Sequence, residues 1–329
     1  MRILQASDVE HFLDMESCIR VVEDAFRARG EGQRASSGAL GLDLEGGTLH
    51  AKLGTLNLSR SYAAAKINAN FPDNPARHGL QTIQGVLILF DGSNGTPLAS
   101  MDSARITTMR TAATTAVAAK YLALRKASTV TFVGCGVQAR AHIPALRHVR
   151  DIERLIAFDL DRAATERFAA EAHARFDVVT EVATDIRQAA RAGEIVVTST
   201  PSRRPVLNRG DVAAGTFVAA IGADSEGKQE ISTELLRNAI VVVDDLDQCS
   251  RMGDLHHALA LGVIQPEHVR GSLDQIITGL VPGRSSDDEI IVFDSTGVAI
   301  EDVAVAALVY ERAEKAGTGS VTDQGPNRA

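Results

Sequence analysis

The back half of the chain alternates short apolar runs with longer stretches of mixed character. STVTFVG, RLIAFDL, EIVVTSTP, GTFVAAIGA, NAIVVVDDL and EIIVFDS are runs of strand length, and several are separated by helix-like stretches such as DRAATERFAAEAHARF. Strands alternating with helices build βαβ units, and runs this uniformly apolar suit a parallel sheet buried on both faces. The front half has another rhythm. SCIRVVEDAFRARGEG predicts a helix stopped by glycine after Arg29. TLHAKLGTLN, SYAAAKINANF and QGVLILFDGSNGTPLAS are short, alternating and split by turn formers, with SNG as a hairpin turn; they predict an antiparallel sheet. ARITTMRTAATTAVAAKYLAL predicts a long small-residue helix joining the two regions, and GVAIEDVAVAALVYERAEKA an amphipathic helix returning to the first. The final KAGTGSVTDQGPNRA is small and polar and predicts a frayed tail.

The length of 329 residues exceeds what one hydrophobic core usually serves, so two domains are expected. Hydrophobic residues make up 45% and charged ones 23%, which fits a globular chain with a real core. A formal charge of -8 opposes a phosphate backbone, so nucleic acid is not an expected partner. Cys18, Cys135 and Cys249 are far apart and lack zinc-ligand spacing, so neither a disulfide framework nor a metal site is expected. The N-terminus MRILQASDVEHFLDMESC carries charges throughout, unlike a secretory leader. Without a run of about 20 apolar residues to cross a bilayer, a membrane role is not expected and a cytoplasmic location is.

One short motif changes the picture. In TFVGCGVQARAH, Gly134, Gly136 and Ala139 follow a predicted strand and open a predicted helix. The first glycine permits a tight turn, the second leaves room for a pyrophosphate against the backbone, and Ala139 lets the helix lie close to the strand. Such a pattern alone is equally an ordinary strand-to-helix turn. Asp159, ending RLIAF, shifts the balance, because about 20 residues beyond the loop an acid accepts hydrogen bonds from a ribose. Its charge disfavours a 2′-phosphate, so NAD(H) is favoured; Arg162 softens that preference and leaves NADP(H) possible. Val137 and Gln138 at the helix start, Thr200 after EIVVTS, and Arg110 with Thr111 on the long helix are further expected cofactor contacts.

Dinucleotide binding implies hydride transfer without naming the acceptor. In SYAAAKINANF, alternation places Lys66, Asn68 and Asn70 on one face, and Ala65, Ile67, Ala69 and Phe71 on the other. The polar face is either solvated or turned to a substrate. Arg110 shares a helical face with Thr107, Ala113, Thr114 and Val117, where a guanidinium needs an anion. Two anions suit it: a substrate carboxylate held by two hydrogen bonds, or an acidic side chain. Asp224, just beyond TFVAAIGA, stands where open α/β sheets bind ligands. It either exchanges a proton with substrate nitrogen or caps a loop. His256 and His257 read as packing or surface residues, and Lys228 as a turn residue.

The segments AAKINANFPDNP, GLQTIQGVLIL, TTMRTAATTAVAAKYLA, FVGCGVQAR, IGADSEGKQE and FDSTGVAIEDVAVA, in this order and spacing, resemble the ornithine cyclodeaminase/mu-crystallin family over roughly residues 1–315. The resemblance implies an α/β protein: a Rossmann-type doubly wound parallel sheet domain binding NAD(P), residues 113–302, plus a smaller α+β substrate and dimerisation domain, residues 1–112 and 303–329. It implies a homodimer whose members move hydride to or from the α-carbon of an amino or imino acid. By resemblance, Lys66 and Arg110 bind the substrate carboxylate, Thr82 contacts substrate, Asp224 is catalytic beside Lys66, and Val298 closes the pocket near the nicotinamide. One departure bears on substrate. Where the cyclodeaminase has an acid for ornithine's side-chain cation, this chain reads HAKLG, and Lys52 would repel that cation. An additional carboxylate-binding arginine has Arg34 as its nearest candidate. The expectation is therefore an oxidoreductase of amino-acid metabolism, a ketimine or pyrroline-2-carboxylate reductase or an alanine-dehydrogenase-like enzyme. The alternative is an ornithine cyclodeaminase yielding L-proline and ammonia, and a third reading is a dinucleotide-binding protein without catalysis.

Overall fold

The computed structural model describes residues 1–33, 35–57 and 60–322; Arg34 lies outside the described residues. The chain divides into two units, residues 1–110 with 298 onward, and residues 111–297.

The first unit opens with β1 (Arg2–Leu4), α1 (Ala6–Phe12) and α2 (Met15–Gly30). Asp14 caps α2 by accepting the Ser17 N–H at 2.8 Å, and the helix buries Cys18, Ile19, Val22 and Phe26 along one stripe. β2 (Ala35–Leu44), β3 (Gly47–Asn57), β4 (Ser61–Asn70), β5 (Ile83–Asp91) and β6 (Pro97–Asp102) pair antiparallel in chain order, with α3 (Asn74–His78) between β4 and β5. β1 then adds parallel to β6, so the sheet is mixed where an antiparallel one was expected. Three residues are too few to carry a readable alternation, which is why β1 escaped notice. α4 (Ser103–Leu122) follows. Its last carbonyls accept from Arg150, at 2.6 Å to Ala119 and 2.9 Å to Ala123, and from Arg284 Nε at 2.8 Å to Leu122. Two guanidiniums thus satisfy acceptors that a helix end leaves orphaned.

The second unit runs β7 (Thr129–Val133), α5 (Val137–Arg147), β8 (Arg154–Phe158), α6 (Arg162–Phe176), β9 (Val179–Val182), α7 (Ile186–Ala192), β10 (Ile195–Thr198), β11 (Arg203–Leu207), β12 (Phe217–Ala220), β13 (Gln229–Ile231), α8 (Thr233–Asn238), β14 (Ile240–Val243), α9 (Leu246–Cys249), α10 (Asp254–Ala260), β15 (Val269–Ser272), α11 (Leu273–Ile277) and β16 (Ile291–Asp294). Its main sheet has the order β15-β14-β16-β12-β10-β7-β8-β9, parallel throughout, with β11 and β13 forming a small separate ladder. β10, β12 and β16 are buried at every position, as a sheet covered on both faces requires. From β7 the chain steps outward through β8 and β9, then returns to start β10 on the other side. This is the doubly wound sheet expected from the sequence, and its reversal of strand order lies between β7 and β10.

The chain closes with α12 (Ala299–Ala316) and β17 (Ser320–Val321), which belong to the first unit. β17 pairs antiparallel with β1, so that part of the expected frayed tail is a strand; residues 323–329 lie outside the described residues. α12 begins hard against β3: a Cβ on Gly54 would stand 2.7 Å from the Ala299 Cβ.

Candidate active site

Strand alternation in β4 does separate a polar from an apolar face, and the polar one is turned inward. Lys66 and Asn68 are buried while Ile67 is 42% exposed. The solvated-face reading of Lys66 is thereby corrected. Asn68 is fixed by Ser103, whose hydroxyl donates to its Oδ1 at 2.6 Å, and donates from Nδ2 to Thr107 Oγ1 at 3.3 Å. Gly85 makes room for this: a Cβ there would meet the Asn68 amide oxygen and, at 2.6 Å, the Ser103 Oγ.

Lys66 does not stand alone. Its Nζ is 2.7 Å from each carboxylate oxygen of Asp302, in the first turn of α12. Arg110, from α4, donates Nη1 to Glu301 Oε2 at 2.7 Å and sets Nε 3.2 Å from Asp302 Oδ1. All four side chains are buried. Two cations and two carboxylates therefore compensate one another where an unpaired charge would be prohibitive. Burial pushes the Lys66 ammonium down to about 7 against the pull of Asp302. Burial acts on Asp302 the other way, but Lys66 and then Arg110 outweigh it and hold that carboxyl below its ordinary value. Of the two anions expected for Arg110, the acidic side chain is the one described.

Other expected substrate residues gather in the same unit. Lys52, half-buried on β3, is the cross-strand partner of Lys66, and its charge bears on both Lys66 and Asp302. Val298 is fully buried immediately ahead of α12, and its N–H donates to Glu301 Oε1 at 3.0 Å. Thr82 precedes β5 and is half-buried, its carbonyl accepting the Phe71 N–H at 2.8 Å beside the end of β4.

The expected cofactor residues lie in the second unit, Arg110 excepted. Gly134 follows β7 with φ +94°, and its missing Cβ would stand 2.9 Å from the Ser199 carbonyl oxygen and 3.1 Å from Thr200 Cγ2. Only glycine suits that conformation and that clearance. Gly136 is the N-cap of α5, with nothing within 4 Å of where a Cβ would be. Val137 is exposed, Gln138 half-buried and Ala139 fully buried under the helix. Asp159 follows β8; its Oδ2 accepts the Cys135 N–H at 2.8 Å and its Oδ1 the Asp161 N–H at 3.0 Å. Arg162 is 70% exposed and paired to Glu166 at 2.9 Å. Thr200 follows β10, and Thr111 sits next to Arg110 on α4. Asp224 stands on the loop after β12, 48% exposed, accepting from Lys228 Nζ at 2.6 Å. The rings of His256 and His257 hydrogen-bond the carbonyls of Ser250 and Lys228. Among the described residues, no group of three or more His, Cys, Asp or Glu is placed to hold a metal ion, and no helix is long and apolar enough to cross a membrane.

Three acids went unmarked in the sequence. Glu301 and Asp302 were read only as part of an amphipathic helix, yet two carboxylates flanked by GVAI and VAVAAL pose the same question as Arg110 among small residues. Glu230, at the end of IGADSEGKQE, is fully buried. It accepts from the Thr198 hydroxyl at 2.7 Å, the Gly222 N–H at 2.8 Å, and the N–H and hydroxyl of Thr200 at 2.6 and 2.7 Å. One carboxylate thus ties together the carboxyl ends of β10 and β12.

A fully parallel doubly wound sheet with a glycine loop at its reversal point, joined in one chain to a mixed sheet carrying a buried lysine and arginine, defines a class. The chain belongs to the ornithine cyclodeaminase/mu-crystallin family, whose model matches residues 1–317. Among its relatives, the alanine dehydrogenase of Archaeoglobus fulgidus is 40% identical over 320 residues, covering 97% of each chain. Solved structures agree. An archaeal alanine dehydrogenase dimer with bound NAD superposes with a TM-score of 0.93 at 40% identity, covering 99% of each chain. The Thermococcus litoralis Δ1-pyrroline-2-carboxylate reductase, in complex with NADH and L-proline, gives a TM-score of 0.93 at 30% identity over 98% of this chain and 100% of the other.

Proposed function

We propose that this chain is an NAD(H)-dependent oxidoreductase that moves hydride to or from the α-carbon of a small amino or imino acid, as a ketimine or pyrroline-2-carboxylate reductase or an alanine-dehydrogenase-like enzyme. The observation that carries the reading is the buried pair Lys66 and Arg110, each held by a first-turn carboxylate of α12. Cations fixed in this way on rigid elements suit a substrate carboxylate, and holding that carboxylate fixes the α-carbon beside it. The family relationship to an alanine dehydrogenase and the likeness to a pyrroline-2-carboxylate reductase support the same chemistry.

The residues fit a dinucleotide. The open space at Gly136, on the N-cap of α5, would accommodate a pyrophosphate, and the N–H groups that a helix leaves without intrahelical partners in its first turn would hold it. Asp159, its carboxylate steadied by Cys135 and Asp161, suits ribose hydroxyls and disfavours a 2′-phosphate. The cofactor, when bound, donates or accepts the hydride. In this reading the second unit carries the dinucleotide, and the first unit, which includes Val298, Glu301 and Asp302 rather than resuming only at residue 303, carries the substrate and dimer contacts. Asp224, paired with Lys228, exchanges the proton of substrate nitrogen: as a carboxylate it takes one in oxidation, and it is reloaded from solvent in reduction. Lys66 shares the catalytic role by orienting the substrate; Thr82 and Val298 line its place, and Lys52 excludes a cationic side chain.

Assembly as a homodimer is supported by the sheet of the first unit. Leu40, Leu42, Leu53, Ile67 and Val86 are large apolar residues exposed on the face opposite Lys66, and a face of that kind marks an interface. Three buried free cysteines agree with a cytoplasmic location.

The test is a spectrophotometric screen of Δ1-pyrroline-2-carboxylate, other cyclic ketimines, and pyruvate with ammonia, each with NADH and NADPH. The expected result is stoichiometric NADH oxidation, faster than with NADPH. Ammonia release from L-ornithine without net NADH change would instead establish cyclodeamination. Firm NADH binding with every substrate inert would establish a non-catalytic binder.

A further inference from the structure

We propose that Asp302 is a positioning residue: its carboxylate fixes the Lys66 ammonium and the Nε edge of Arg110 on the inner face of the first unit's sheet, and keeps Lys66 charged to meet a substrate carboxylate. This rests on the reading above, in which Lys66 and Arg110 grip the substrate. The geometry is close on both sides, with 2.7 Å from Nζ to each Asp302 oxygen and 3.2 Å from the same carboxylate to Arg110 Nε. The Lys66 and Asp302 side chains are 4% and 2% exposed. A buried ammonium sheds its proton unless an opposite charge stands near.

The surroundings of Lys66 divide into those that expel its proton and those that hold it. β3 brings Lys52 across the strand pair, with His50 further along, and α4 brings Arg110. Lys52 and Arg110 both act against the ammonium. β5 offers only Leu87 in the register opposite Lys66, which does not titrate. α2 contributes the Cys18 thiol, which burial keeps protonated and which responds to Glu301 and Arg110. From α12, Glu301 is engaged with Arg110 and the Val298 N–H, leaving Asp302 as the carboxylate that bonds Nζ. Its place in the first helical turn favours its ionised form. Replacing it with Asn keeps the shape and removes the charge that holds the proton.

The experiment compares wild type, Asp302→Asn, Asp302→Glu and Lys66→Arg in pH profiles of kcat and kcat/KM, with Δ1-pyrroline-2-carboxylate and NADH as probes. For Asp302→Asn the alkaline limb of kcat/KM should move down by about one pH unit or more, with KM raised ~10-fold or more at neutral pH and kcat changed less. Asp302→Glu should recover part of the loss, NADH affinity by fluorescence should be unchanged, and Lys66→Arg, whose guanidinium stays charged, should move the alkaline limb up to that of the next group to lose its proton. An unmoved limb in Asp302→Asn, or equal falls in kcat and kcat/KM without a pH shift, overturns the proposal. So does an alkaline limb that stays at its wild-type pH in Lys66→Arg, which decides the matter should Asp302→Asn fail to fold. If wild type turns over neither this probe nor any substrate of the screen above, the functional reading fails separately. NMR titration of labelled lysine Cε then tests Asp302 directly: a Lys66 resonance that titrates at the same pH in wild type and Asp302→Asn overturns the proposal, and a lower pH in the variant supports it.

Discussion

In the first unit, two carboxylates are buried against two cations; in the second, Glu230, Asp254 and Asp294 are buried on hydrogen bonds from backbone N–H groups and hydroxyls. Asp254 accepts from the N–H groups of Glu230 and Ile231, both at 2.7 Å, and Asp294 from that of Leu255 at 2.8 Å. The consequences diverge. Asp302 is held below the usual carboxylate range by Lys66 and Arg110 despite burial. Burial, with the charge of Asp244 added, pushes Asp294 up to about 8 against the hydrogen bond from Leu255. Counter-charges keep a buried acid ionised, while neutral donors allow it to keep its proton. The first arrangement suits an anion-binding site, the second a scaffold.

The largest test of this contrast removes a counter-charge. Lys66→Met should lower unfolding free energy by ~3–5 kcal/mol, because Asp302 is then buried without its ammonium, and should abolish turnover; an unchanged urea midpoint would show that the quartet is not coupled. Glu230→Gln comes next. Its amide group must face donors among Thr198, Thr200 and Gly222, at a cost of ~1–3 kcal/mol by the same measurement, and dinucleotide affinity should fall as the β10 end loosens. Asp294→Asn should be milder and pH-dependent. The folded state holds the extra proton between 3.8 and about 8, so wild type loses stability as pH rises through that window, by at most about 1.4 kcal/mol per unit for this one proton. The variant should lose less across the same range; parallel curves would place the proton elsewhere. The smallest effect belongs to the exposed pair Arg162 and Glu166. Glu166→Gln should alter stability by less than ~0.5 kcal/mol, and a larger loss would undo the distinction between buried and surface charge.

The sequence disclosed most where burial was most uniform. The strands β7, β8, β10, β12, β14 and β16 announce themselves as apolar runs because a sheet covered on both faces leaves few polar positions. β2 was harder to read for the opposite reason: ASSGALGLDL is exposed along nearly its whole length, its first half has no apolar pattern, and only Leu40, Leu42 and Leu44 alternate at its end. β1 and β17 are too short to carry a period. At the site, Arg110 was legible because a guanidinium among small residues demands a partner, but its partners sit 191 and 192 positions away. Pairing at that separation is set by how α12 returns to the sheet, which no local pattern encodes. The inward turn of Lys66 was undecided for a related reason. Alternation separates two faces, and only the neighbours say which one is covered.

The contact between Gly54 and Ala299 has a bearing on all this. A methyl group at position 54 carries no charge and would lie well outside hydrogen-bonding chemistry, yet it would lift the opening residues of α12 off β3. Glu301 and Asp302 would travel with them. The most innocuous-looking exchange in the unit, alanine in place of glycine, would therefore displace both anions together and weaken carboxylate capture, through one added methyl 2.7 Å from the Ala299 Cβ.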